Sequence, residues 1–146
     1  MTKNHEIPIT DSDFIGSLIP QKRPMVMVDK MMAFGENFIT AGLTLHPENI
    51  FVKNTYLQES GILEHIAQSI ALYTGYRYYL MNKPAPTGYI GAIKTASVFG
   101  LPKTQDQLVT KVSVMQEFAG VTLVSAISEV NRKTVATAEM KTILAV

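Results

Sequence analysis

The chain has 146 residues, enough for one domain with a sizeable core, because folding at that length buries roughly 68–70% of the unfolded chain's surface. It has no cysteine, which excludes disulfides, thiol nucleophiles and cysteine-based zinc sites together and suits a reducing compartment. Thirteen lysines and arginines against twelve acids give a net charge of +1, and runs such as QKRP and NRK are too short to track a phosphate backbone, so no nucleic-acid partner is expected.

Residues 1–13 are polar and predict a surface tail, leaving 14–146 as a single domain. The opening MTKNHEIPITDSDF lacks a charged segment followed by an apolar one, and no stretch approaches 18 uncharged apolar residues. A cytoplasmic protein without a membrane span is therefore expected. DSDFIGSLIP predicts one short helical turn, capped by Asp11 or Ser12 and ended by Pro20. From Met25, MVMVDKMMAFG and NFITAGLTLH read as two strands joined near Gly35–Asn37, a hairpin. The Met-rich run (Met25, Met27, Met31, Met32) reads as adaptable packing. PENIFVKN predicts a loop with an extended segment.

One long helical pattern follows, from about Tyr56 to Asn82. Leu57, Gly61, Ile62, Leu63, Ile66, Ala67, Ile70, Ala71 and Thr74 recur at helical spacing until NKPAP stops it. The tyrosines of GYRYYL predict packing or an interface. Four strand-like stretches complete the chain: GYIGAIKTASVFG, QLVTKVSVMQEFAG, VTLVSAISEV and KTVATAEMKTILAV. Their period-2 segments suit an antiparallel sheet with one buried face. Two strands, one helix apolar almost all round and four more strands predict an α+β fold of about five to six strands, the sheet wrapped around the helix. The outer face and edges of such a sheet favour pairing with a second copy.

Glu64, His65 and Gln68 break the apolar texture of the helix. Glu64 and Gln68 lie four apart on one face, and Gly61, one turn earlier, is expected to leave room beside the carboxylate. His65 is turned about 100° away, so it makes a poor direct partner for Glu64. Glu64 either reaches solvent at the edge of the face or pairs with Lys94, Lys111 or Arg77, or it is a buried carboxyl held protonated, a general acid. Gln68 would orient it or a substrate carbonyl. His65 reads first as a hydrogen-bonded helix residue, His5 as part of the tail, and His46 as a capping or surface group before Pro47. The three histidines have no metal-ligand spacing, so no metal is expected.

Five segments in register resemble the hotdog-fold dehydratases that act on 3-hydroxyacyl chains carried by acyl carrier protein (FabZ-like). LIPQKRPMVMVDKM at 18–31 resembles that family's LLPHRYPFLLVDRV, and ILEHIAQSIA at 62–71 its central-helix ILEAMAQ. GYIGAIKTASV at 88–98, QDQL at 105–108 and TVATAEMKTIL at 134–144 resemble later strands and the PGDQL motif. The resemblance implies elimination of water from a 3-hydroxyacyl thioester to the trans-2-enoyl thioester. A histidine takes the α-proton, a helix acid from the other subunit protonates the hydroxyl, and the helix N-terminus polarises the thioester carbonyl. The acid maps onto Glu64 and the orienting glutamine onto Gln68.

The family's histidine stands in a GHFPG loop fourteen residues before the acid. That register falls on Ile50 here, and across a shortened loop the counterpart is Asn54, which cannot titrate. The pattern is similar to the divergent ApeP-like dehydratases of aryl-polyene and related polyketide pathways, which work beside a second hotdog protein. The resemblance therefore implies an acyl-ACP or acyl-CoA substrate, acyl carrier protein as a partner, and a homodimer or a heterodimer with another hotdog chain. It implies no cofactor, because the thioester itself acidifies the α-proton. Three functions stay open: dehydratase or dehydratase subunit, acyl-thioester hydrolase with Glu64 or Asn54 placing a water, and acyl-binding partner subunit.

Overall fold

The computed structural model describes residues 6–145, so His5 lies outside the described residues. The elements in chain order are α1 (Ser12–Ser17), β1 (Lys30–Gly35), β2 (Phe38–Thr44), β3 (Val52–Lys53), β4 (Tyr56–Leu57), α2 (Glu59–Leu80), β5 (Gly88–Val98), β6 (Gln107–Phe118), β7 (Val121–Val130) and β8 (Lys133–Leu144). One antiparallel six-stranded sheet runs β1-β2-β6-β7-β8-β5. The 22-residue α2 is buried against its inner face, as the α+β pattern of the sequence required.

The two periodicities meet in one core. Inner positions of the sheet, among them Ile39, Ala41, Leu108, Val112, Val124, Ala126, Ala138 and Met140, face Ile62, Ile66, Ile70 and Leu72 of α2. Each large aliphatic buried there contributes about 1.5–3 kcal/mol. Tyr73 and Tyr76 are buried too, and Phe34 packs on both rings; of the GYRYYL tyrosines, Tyr76 is in the core and Tyr79 packs against it.

Asp11 caps α1, its Oδ1 accepting from the amides of Asp13 and Phe14 at 3.1 and 3.3 Å. Ile9, inside the polar N-terminal stretch, is buried and bridges to Met31.

Two boundaries and the role of one glycine differ from the sequence pattern, each for a physical reason. The strand expected from Met25 begins at Lys30, because the backbone groups of Met25 and Met27 are taken by side chains of α2 instead of by a ladder. The helix expected from Tyr56 begins at Glu59, because Tyr56 and Leu57 pair with Lys53 and Val52 in the β3–β4 hairpin. Gly61 does not leave room beside Glu64; a Cβ there would meet Leu57 and Phe51 at 2.6 Å, so the glycine admits that hairpin against the helix. Among the described residues, no helix is long and apolar enough to cross a membrane.

Candidate active site

The site is built on the second and third turns of α2. Gln68 is fully buried, and its amide is used on every side. Its Oε1 accepts the Met27 N–H at 2.5 Å, and its Nε2 donates to the Met25 carbonyl at 2.7 Å and to Glu64 Oε1 at 2.8 Å. A backbone N–H can only donate and a carbonyl can only accept, so these partners fix which end of the amide faces Glu64. Glu64 Oε1 is therefore an acceptor from Gln68, one turn away. Its Oε2 has no hydrogen-bond partner among the described residues. The carboxyl is half-buried, not enclosed, and makes no ion pair among the described residues: Arg77 lies over the Tyr73 ring and pairs with Glu117, and Lys111 lies over Phe38.

Glu64 opens onto a groove of about 510 Å3 between α2 and the start of β5. Ala67, Ile70, Ala71 and Thr74 form the helix wall, and Ala85–Ile90 the facing wall, with Leu18 and Ile19 at one side. Small side chains at Ala67 and Ala71, on the same helix face as Glu64, keep this wall low. The groove mixes apolar side chains with polar ones such as Ser17, Gln21, Thr74 and Thr142, and Glu64 is the one carboxylic acid among its described lining residues, a combination suited to an acyl chain that carries a polar head. The lining meets α2 no earlier than Glu64, so the first turn of the helix lies outside it.

β5 leaves the groove open on one side. It is the edge of the sheet, and even its inner-face residues Ile90 and Ile93 are 42% and 46% exposed. The wall that would cover those residues is not part of this chain's described fold.

The other sequence-chosen residues do not gather around Glu64. His65 is fully buried on a different face of the helix. Its Nδ1 is 2.7 Å from the Met27 carbonyl and its Nε2 2.9 Å from Thr110 Oγ1, which is 2.6 Å from Ser128 Oγ. Since the carbonyl cannot donate, Nδ1 carries the proton, and in the neutral ring Nε2 accepts from Thr110. Burial lowers its pKa to about 4, against the opposing pull of the Met27 hydrogen bond and of Asp29. Asn54 is exposed and, with Thr55, holds positive φ (52° and 68°), the pair a type I′ hairpin turn demands. His46 is exposed and lines a separate depression of about 690 Å3. No histidine among the described residues lines the groove that holds Glu64. No group of residues among those described could hold a metal ion.

Sequence reasoning missed the backbone of Met25 and Met27, for which no side-chain signal exists. It also missed Thr110 and Ser128, which were legible as hydroxyls at inward positions of otherwise apolar strands.

A single long helix wrapped by a six-stranded antiparallel sheet is the hotdog fold. The chain belongs to the ApeP-like dehydratase family, whose model, described as ApeP dehydratase, matches residues 14–145. No curated protein matches it in sequence. Among solved structures it is similar to the dehydratase heterocomplex ApeI:P from Xenorhabdus doucetiae, with a TM-score of 0.85 at 12% identity over 97% of this chain and 93% of that one. It is also similar to the uncharacterized protein PH1136 from Pyrococcus horikoshii (TM-score 0.67, 13% identity, 96% and 95% covered). A third similar structure is Cj0977, a sigma28-regulated virulence protein from Campylobacter jejuni (TM-score 0.71, 9% identity, 97% and 96% covered).

Proposed function

We propose that this chain contributes the acid to a dehydratase site for 3-hydroxyacyl thioesters, and that a second hotdog chain contributes the base. The observation that carries this reading is the position of Glu64 in the wall of a groove lined by no described histidine. The acyl chain lies along Ala67, Ala71 and Thr74, with its C3 hydroxyl at Glu64. The partner's base removes the C2 proton, which the thioester carbonyl acidifies. The electron pair left at C2 forms the C2–C3 double bond, the C3–O bond breaks, and Glu64 protonates the departing hydroxyl as water. The products are the trans-2-enoyl thioester and water, and no cofactor enters the balance. General acid–base catalysis of this kind supplies about 10²–10⁴ in rate.

The exposed edge and inner face of β5 are where the second chain would close the groove. The family membership and the ApeI:P heterocomplex favour a different hotdog chain over a second copy. The thioester carrier is read as acyl carrier protein, in fatty-acid or polyketide-type biosynthesis such as aryl-polyene formation. A 3-hydroxyacyl-ACP incubated with the chain alone, and with an ApeI-type chain added, tests the division of labour. Enoyl thioester from the pair and little or none from this chain alone is expected. Robust turnover by this chain alone would reject the split site, and free acid plus thiol as products would make it a hydrolase.

A further inference from the structure

We propose that His65 is a positioning residue for Glu64, acting through the backbone of Met27 and the amide of Gln68. The inference rests on the reading of Glu64 as the acid.

Residues 25–27 cross α2 without joining the sheet, so their buried backbone groups need partners from elsewhere. Two side chains of α2 hold Met27 at both ends: Gln68 takes its N–H, and His65 donates to its carbonyl. Gln68 in turn presents its remaining donor to Glu64 Oε1. The chain of contacts is therefore His65, Met27, Gln68, Glu64, although His65 and Glu64 are neighbours in sequence that face different ways. Releasing the Met27 carbonyl loosens the Met27–Val28 peptide, and the adjoining Val26–Met27 peptide, joined to it at the Met27 Cα, carries the N–H that fixes the Gln68 amide. With that anchor loosened, Gln68 no longer holds Oε1, and the free Oε2 loses its aim into the groove.

The far side of the ring explains why an imidazole stands here and not a simple amide. Thr110 and Ser128 satisfy Nε2 from the sheet, so the ring ties the 25–27 segment to β6 and β7 through one side chain. A ring kept neutral by burial retains the lone pair that Thr110 needs and the N–H that Met27 needs.

The test uses the full chain assembled with an ApeI-type partner and a 3-hydroxyacyl-ACP. His65→Leu keeps the bulk and loses the donor; His65→Asn keeps a donor at the reach of Nδ1; Thr110→Val removes only the Nε2 partner. His65→Leu is expected to lower kcat about tenfold to a hundredfold with KM little changed, since misplacement of about 1 Å costs up to about 10²-fold. His65→Asn should recover most of that loss, and Thr110→Val should keep kcat near wild type. Amide exchange at Met27 should quicken at least about tenfold in His65→Leu while core α2 amides stay protected. Unchanged kcat in a folded His65→Leu variant, or equal losses in His65→Leu and Thr110→Val, would overturn the proposal. If His65→Leu does not fold, His65→Gln, which reaches the Nε2 side only, replaces it: kcat matching that of His65→Asn would then overturn the proposal. Glu64→Gln is measured beside them; full activity there would remove the acid itself, while exchange at Met27 would still report whether His65 holds the segment.

Discussion

In the proposed site Glu64 and Gln68 act as one unit: the amide engages Oε1, and Oε2 is the oxygen left for a substrate. That pairing was legible in the sequence, because an acid and an amide four apart on an apolar helix share a face. The standing of His65 was only half legible. Its direction away from Glu64 follows from helix geometry, but its two partners come from segments 38 and 45 residues away, which no local pattern displays. Its burial makes a testable statement about pH. The folded-state pKa of about 4 lies below the unfolded value of 6.5, so on acidification the unfolded chain takes up this proton first. The stability contributed by the neutral ring is full above pH 6.5 and is lost as pH falls to about 4, amounting to about 3 kcal/mol. Denaturant unfolding at pH 7 and at pH 4 should show this loss, and His65→Asn should flatten that part of the pH profile.

At the scale of elements, long periodic segments were readable and their ends were not. α2 and the strands β5–β8 announce themselves by period 3.6 and period 2. The two-residue strands β3 and β4 are too short to show a period, so their hairpin passed for loop and helix start. The Met25–Met27 segment has a strand's composition, yet side chains of the helix take its Met25 carbonyl and both backbone groups of Met27. Gly75 shows how closely these elements meet. A Cβ at that position would collide with the Leu18 carbonyl, in the link after α1. Alanine gains about 1 kcal/mol over glycine in helix propensity. Overpacking against a backbone atom that cannot swing aside costs about 1–3 kcal/mol, so the clash wins. Gly75→Ala should therefore lower Tm, read by calorimetry, despite its better helix propensity; an equal or higher Tm would mean that the α1 link yields easily.

For the whole molecule, the open side of the groove matters more than any single contact. β5 is an 11-residue edge strand that leaves Tyr89, Ile90 and Ile93 exposed, Tyr89 at 61%. A long apolar edge of this kind invites another strand or another chain. The sequence pointed to pairing through the same surplus of strands over helices, but it could not say that the groove beside Glu64 would be the part left uncovered. In the proposed split site, that uncovered side and the absence of a described histidine from the lining have one explanation, a second hotdog chain that covers the groove and brings the base.

The most direct test is the initial rate of enoyl-thioester formation from a 3-hydroxyacyl-ACP by the assembled pair, with wild-type chain and with Glu64→Gln. Loss of at least about a hundredfold in kcat, with the variant still folded and paired, is the predicted result. A Glu64→Gln pair that forms enoyl thioester at the wild-type rate would contradict the account.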